Sequence, residues 1–421
     1  IVEGNPGTGK TIIASHRAAF LVNDDRGART RHRTETTFGP RLRRDSVVSA
    51  KTAGQAKKPT ATRGRVRTVL LVGPNSAYAE HVGGVIDSLT VPGRVTVKGI
   101  EALMSEIAEV PLTPGEIDGS VGDLDPAVLR LVKTAYDGLR KSERWIERAP
   151  HGQVRARVYE VLRANRVGER QISRDADDLA WMATLPNLKS ALQRRSHLPL
   201  LAAIGQVAWS GSSRFDHVIV DEAQDIRPLE WALLSLINGG DWTLIGDLNQ
   251  RRSHHSSMSW NTAKAVIAEF SDHTATWDET ELRTGYRSTR QIIGFAQRLL
   301  PSRERSAQCV QTDGIEPKVR KSSADFLIKA AIEEAVCLRE KYPSGTTAII
   351  TTTPGRTRSQ FAKWRKMEGG ARKGASSEGG PSNGQGRLLL LTPENARGLE
   401  FDAVVVVEPA SYPQSLVGNG L

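Results

Sequence analysis

Short β-rich apolar runs recur along this chain at Thr68–Val72, Phe215–Val220, Trp242–Ile245, Thr347–Thr351, Leu388–Leu391 and Ala403–Val407. Several are continuous rather than alternating, which predicts strands buried on both faces, as in parallel sheets. Between them the apolar positions take a helical period. Residues 11–22 and 76–89 read as helices. Residues 99–205 carry helical spacing, for example Val154, Val158, Val161 and Leu162, among many Arg and Glu residues, and read as a helical segment. Strands alternating with helices predict parallel α/β layers. No internal repeat is visible.

Two stretches break the pattern. Residues 368–386 are rich in Gly and Ser and predict a flexible loop. Residues 26–67 are polar and basic, with 13 Lys/Arg against two acids, Glu35 and Asp45. That stretch accounts for the whole net charge of +11, and the remainder is balanced. The basicity is therefore no general nucleic-acid footprint. The stretch reads as a disordered surface insertion, with an arm that grips phosphates as the alternative.

The 421 residues suffice for two or three domains, and 38% hydrophobic content supports real cores. No apolar run approaches the length of a membrane span. Cys309 and Cys337 are the only cysteines, which excludes a disulfide framework and a cysteine zinc pattern and fits a cytoplasmic setting. The chain opens on the stub of a strand with no initiating Met, and it ends soon after a strand. It reads as a fragment of a longer parent.

The chemistry begins at Gly4-Asn5-Pro6-Gly7-Thr8-Gly9-Lys10-Thr11, a complete G-x-x-x-x-G-K-[ST] loop between the strand stub Ile1-Val2 and the helix at 11–22. Strand, glycine loop and helix form the context this motif needs. The glycines let backbone N–H groups face phosphate oxygens, and the helix N-terminus adds its dipole. Lys10 suits the β- and γ-phosphates, and Thr11 suits Mg²⁺. Asp221-Glu222 follows the strand Phe215–Val220 directly, so both carboxylates project at its C-terminal end, where α/β sheets bind ligands. Asp221 is the expected Mg²⁺ acid and Glu222 the expected base for an attacking water. Gln250, in Gly246-Asp247-Leu248-Asn249-Gln250, can sense a γ-phosphate because an amide both donates and accepts. Arg287 precedes a helix and can stabilise transition-state charge as an arginine finger does.

Together these segments resemble the superfamily 1 helicases of the UvrD/Rep type. GNPGTGKT, VDEAQD, GDLNQ, GYRS and ARGLEFD are similar to five of that superfamily's motifs, in its order. The resemblance implies an α/β fold of two RecA-like P-loop NTPase domains with parallel sheets, plus a helical insertion domain, and ATP bound with Mg²⁺ between the two. Residues 1–98 and 206–280 would form the first RecA-like domain, 99–205 the insertion, and 281–421 the second. Lys10, Thr11, Asp221, Glu222, Gln250 and Arg287 carry over to the ATP site, and Glu400 carries over as a contact to the nucleotide sugar.

Within the superfamily, LLVGPNSAYAEHVGGVIDSL, SHRAAFL, GDLNQ and GLEFDAVVVVEPA resemble the HelD family, whose members bind RNA polymerase and free it from nucleic acid by nucleotide hydrolysis. The resemblance thus implies nucleic acid, DNA foremost, and RNA polymerase as partners, with no membrane. The chain departs from the UvrD pattern after Gln250, where Arg251-Arg252-Ser253-His254-His255 replaces the aromatic wedge. Trp260, the nearest large aromatic, can stack on a base or pack a helix start. Only about 100 residues separate Arg287 from the fifth motif, little room for a large accessory domain. The sixth motif is expected beyond Leu421, and the adenine-contacting glutamine motif and polymerase-entering coiled coil before Ile1. A UvrD/Rep-type 3′–5′ repair helicase is the rival reading, and a catalytically weak binding module is the third.

Overall fold

The computed structural model describes residues 1–5, 7–23, 68–112, 125–164, 182–209, 215–250, 259–271, 276–298, 308–368, 387–396 and 399–412. The basic stretch 26–67 lies outside the described residues, as do Pro6 and all of 368–386 except Glu368.

Six parallel strands form the main sheet, in the order β3-β2-β4-β5-β1-β6. They are β1 (Val2–Gly4), β2 (Val69–Gly73), β3 (Val95–Gly99), β4 (Phe215–Val220), β5 (Asn238–Gly246) and β6 (Thr280–Leu282). Register runs Leu71↔Val97 and Leu71↔Ile219 on either side of β2, and Val2↔Ile245 and Val2↔Thr280 on either side of β1. All five residues of β2 are buried, which is why its sequence is continuously apolar. β6 adds to β1, so the first sheet runs past the boundary expected at residue 280.

Side chains alternate across the sheet. On one face Val69, Leu71, Ile219 and Ile245 pack with Ala14, Ala18, Leu21, Tyr78, Val82 and Ile86 of the helices α1 (Lys10–Asn23) and α2 (Ser76–Leu89). On the other face Leu70, Val72, Val218, Val220 and Leu244 meet α3 (Ile100–Ala108), α4 (Val128–Ser142), α5 (His151–Ala164), α6 (Leu198–Trp209), α7 (Pro228–Ile237) and α8 (Trp260–Phe270). The helices between β3 and β4 share one continuous apolar core with that face. α6 is nearly buried all round, with Leu198–Gln206 all buried, because it sits between the sheet-packed α7 and the outer α3, α4 and α5. Local signals start these helices. Asn75 Oδ1 accepts from the Tyr78 amide at 2.8 Å, Ser259 caps α8, and Pro228 opens α7 with Glu230 accepting from the Arg227 amide.

A smaller parallel sheet, β10-β9-β11, joins β9 (Thr346–Ile350), β10 (Arg387–Leu391) and β11 (Ala403–Val406). It packs Ile349 and Val407 against Ile328, Ala331, Ile332 and Ala335 of the helix Leu327–Lys341. Between the two sheets in sequence, the short strands β7 (Thr284–Gly285) and β8 (Gln308–Cys309) pair in parallel.

Candidate nucleotide site

β1 ends at Gly4 and α1 begins at Lys10, so the glycine loop bridges a strand end and a helix start. Gly7 and Gly9 take positive φ values of 73° and 85°, conformations that cost a residue with Cβ energy that glycine avoids. The space beside Gly9 is open, with no heavy atom within 4 Å of where a Cβ would stand. The loop is held from within. The Thr8 hydroxyl donates to the Asn5 carbonyl at 2.8 Å, and Lys10 Nζ donates to the carbonyls of Gly4 at 2.6 Å and Asn5 at 3.1 Å. Lys10 is only 8% exposed. Its ammonium, held on these backbone carbonyls, stands inside the loop where an anion would bind.

The acid pair stands at the end of β4, one strand removed from β1 across β5. The Asp221 amide continues the ladder to the Val72 carbonyl at 2.9 Å. Its carboxylate is 1% exposed. Tyr78 Oη donates to Oδ2 at 2.8 Å, the Glu222 amide donates to Oδ1 at 3.0 Å, and the Thr11 side chain stands close to the group. Burial first, and the charge of Glu222 second, raise the Asp221 pKa to about 6, against the lowering effect of Tyr78, Thr11 and the Glu222 amide. Burial and the Asp221 charge likewise raise the Tyr78 hydroxyl well above its ordinary value, so it stays a donor.

Glu222 adopts a left-handed backbone, φ 55° and ψ 41°, uncommon for a residue with a side chain. Its Oε2 accepts from Gln224 Nε2 at 2.7 Å, and Gln224 Oε1 accepts from the Asp247 amide at 2.9 Å. Gln250 Nε2 in turn donates to Asp247 Oδ2 at 2.5 Å. One chain of hydrogen bonds thus runs from Glu222 through Gln224 and Asp247 to Gln250, joining the turn after β4 to the turn after β5.

The amides of Tyr286 and Arg287 both donate to the Gly7 carbonyl, at 2.7 and 3.2 Å. The Arg287 guanidinium pairs with the Glu400 carboxylate. The structure therefore brings Lys10, Thr11, Asp221 and Glu222 to one end of the main sheet, docks the Arg287 segment on the glycine loop, and sets Glu400 against Arg287. Pro6 lies outside the described residues. Trp260 is 8% exposed in the core, its indole N–H donating to Glu3 Oε2 at 3.2 Å. Of the two readings of Trp260, the structure shows helix-start packing.

Sequence reasoning assigned no role to Tyr78, Gln224 or Asp247. Gln224 and Asp247 sat inside the quoted motifs, so their positions were marked although their partners were not. Tyr78 carried no such signal.

The donor set at this end of the sheet is hydroxyl and carboxylate oxygen, the ligand class Mg²⁺ takes. Among the described residues no cluster of three or more His, Cys, Asp or Glu side chains is placed to hold a metal. Among them also, no helix is long and apolar enough to cross a membrane.

A family model, the UvrD/REP helicase N-terminal domain, matches residues 126–252. The match spans 127 of the 421 residues and takes in α4 to β5, Asp221, Glu222 and Gln250. It supports a UvrD/Rep-like superfamily 1 helicase, and the six-stranded parallel sheet fits a RecA-like fold. No curated protein matches the chain.

Proposed function

We propose that this chain is the ATP-hydrolysing motor of a superfamily 1 helicase-like protein of the HelD kind, acting on complexes of RNA polymerase with nucleic acid. The observation that carries the ATPase reading is that the glycine loop after β1 and the acids after β4 stand at the same end of one parallel sheet, with the Thr11 side chain close to Asp221. Phosphate, metal and base functions thus converge on one place.

In this reading Gly4 to Gly9 cradle the phosphates with backbone N–H groups, and Lys10 neutralises the β- and γ-oxygens. Thr11 and Asp221 are the residues that would hold Mg²⁺, which supplies charge neutralisation across the phosphates when bound. Glu222 orients the attacking water and takes its proton. The Gln224 amide on Glu222 Oε2 fixes that carboxylate. Gln250 reads the γ-phosphate, Arg287 stabilises its developing charge, and Glu400 contacts the sugar once Arg287 turns to the phosphate. The smaller parallel sheet is the second RecA-like domain, and the helices of 99–205 are the insertion.

The HelD-like choice rests on the sequence likeness and is supported by Trp260, whose burial leaves it no face for a base. A cytoplasmic setting, with DNA and RNA polymerase as partners, belongs to the same reading. The test is steady-state ATP hydrolysis by the chain alone, with single-stranded DNA, and with a stalled polymerase–DNA–RNA complex, followed by transcript release. Stimulation and release with the polymerase complex are expected. Stimulation by DNA alone with strand unwinding favours a repair helicase, and nucleotide binding without turnover under any condition leaves a binding module.

A further inference from the structure

Tyr78 is the third residue of α2, a helix that approaches the acids of β4 from a neighbouring strand. Three independent contacts fix it. Its amide is capped by Asn75 Oδ1 at 2.8 Å. Its ring lies flat against Gly73 at the end of β2, where a Cβ would come within 2.0 Å of the ring carbon Cδ1. Its hydroxyl donates to Asp221 Oδ2 at 2.8 Å in a buried setting. The side chain is 1% exposed. A phenylalanine would fill the same space, so packing alone does not call for the hydroxyl. The oxygen is spent on one hydrogen bond, to one carboxylate.

That carboxylate needs it. Asp221 is buried, and its two oxygens are held from opposite sides, Oδ1 by the Glu222 amide and Oδ2 by Tyr78. A carboxylate clamped in this way cannot rotate about its Cβ–Cγ bond without breaking a buried hydrogen bond. Outer-sphere partners of this type orient a metal-binding group, and losing one typically weakens metal affinity about 10–100-fold.

We infer that Tyr78 is a positioning residue for Mg²⁺, its hydroxyl fixing Asp221 Oδ2 so that the carboxylate meets the ion in one orientation. The inference rests on the nucleotide-site reading above. It makes α2 part of the metal site, although α2 contributes no ligand. It also gives Gly73 a purpose, since any larger residue there would displace the tyrosine ring.

The experiment uses the full chain and its Tyr78→Phe variant, with a fluorescent ADP analogue titrated at Mg²⁺ concentrations from EDTA upward. Wild type should bind nucleotide more tightly as Mg²⁺ rises. The variant should bind equally in EDTA, need at least about tenfold more Mg²⁺ for the same gain, and recover hydrolysis at saturating Mg²⁺. Equal Mg²⁺ dependence in the two proteins overturns the inference and leaves the nucleotide site standing. A variant weaker by the same factor with and without Mg²⁺ also overturns it, because that is the mark of a merely structural tyrosine. If wild type itself shows no Mg²⁺-dependent nucleotide binding, the site reading fails and this inference falls with it. Unaltered far-ultraviolet circular dichroism certifies that the variant is folded. As a second probe, Gly73→Ala should reproduce the raised Mg²⁺ requirement through the displaced ring, and a normal requirement there counts against the inference.

Discussion

The guanidinium of Arg287 is paired with the carboxylate of Glu400, while the Arg287 amide donates to the carbonyl of Gly7 in the glycine loop. The side chain that would face a γ-phosphate is thus parked on an acid from a distant part of the chain, and its backbone already touches the phosphate loop. Both side chains are well exposed, at 40% and 53%, so the pair contributes little to folding stability, about 0–1 kcal/mol. Arg287→Ala should leave the melting temperature within a degree or two of wild type. Turnover should fall by about 10³-fold or more if the arginine acts as a finger. Thermal unfolding beside steady-state hydrolysis checks both halves, and an unchanged rate removes Arg287 from the reaction.

Glu222 sits at a strained backbone position with its carboxylate held by Gln224. Glu222→Gln should preserve nucleotide affinity and lower turnover by about 10²–10⁴-fold, the usual contribution of a general base. Nucleotide binding by fluorescence and phosphate release measured on the same preparation decide it. A variant with wild-type turnover would exclude Glu222 as the base.

The Gln224 carboxamide serves two turns at once. Gln224→Ala leaves the Asp247 amide without this partner in a buried place, which costs about 1–3 kcal/mol, and frees the Glu222 carboxylate. Lower thermal stability together with slower turnover is expected. Loss of stability with full turnover would show that the bridge is only structural.

Asp221 carries a pH dependence whose sign is fixed by its raised pKa. Protonation is favoured in the folded state, so this group's contribution to stability is greatest below the ordinary carboxylate range, near pH 4, and is lost as pH rises to about 6. Without metal and nucleotide, Asp221→Asn should melt a few degrees higher than wild type at pH 8, and the difference should vanish toward pH 4. The same variant should lose the Mg²⁺-dependent gain in nucleotide affinity. Melting curves across pH 4–8 test it, and a lower melting temperature for the variant at pH 8 would refute it.

Much of this was legible in the residues. β2 announced itself because a strand buried on both faces must be apolar throughout; β4 and β9 were legible from their buried apolar stretches, and β11 from its run of valines, although Val404 and Val406 are exposed. β3 escaped notice because its partly exposed VTVKG includes Lys98, and β6 because Thr280-Glu281-Leu282 is an exposed edge. The glycine loop and the tandem acids were readable because their chemistry needs consecutive residues on one turn. Tyr78, Gln224 and Asp247 were not, because each acts through a partner that only the fold brings near. The pairing of Arg287 with Glu400 was equally hidden, since motif reading gave each residue a ligand and never gave them each other.

The apolar core that the helices between β3 and β4 share with Leu70, Val72, Val218 and Val220 has a practical consequence. These helices cannot be trimmed away as an appendage. Cutting out residues 100–209 would bare one side of β2 and β4 to water, and the strand ends that carry Asp221 and Glu222 would lose their footing. Helices and sheet should therefore melt, exchange amide protons and yield to proteases together.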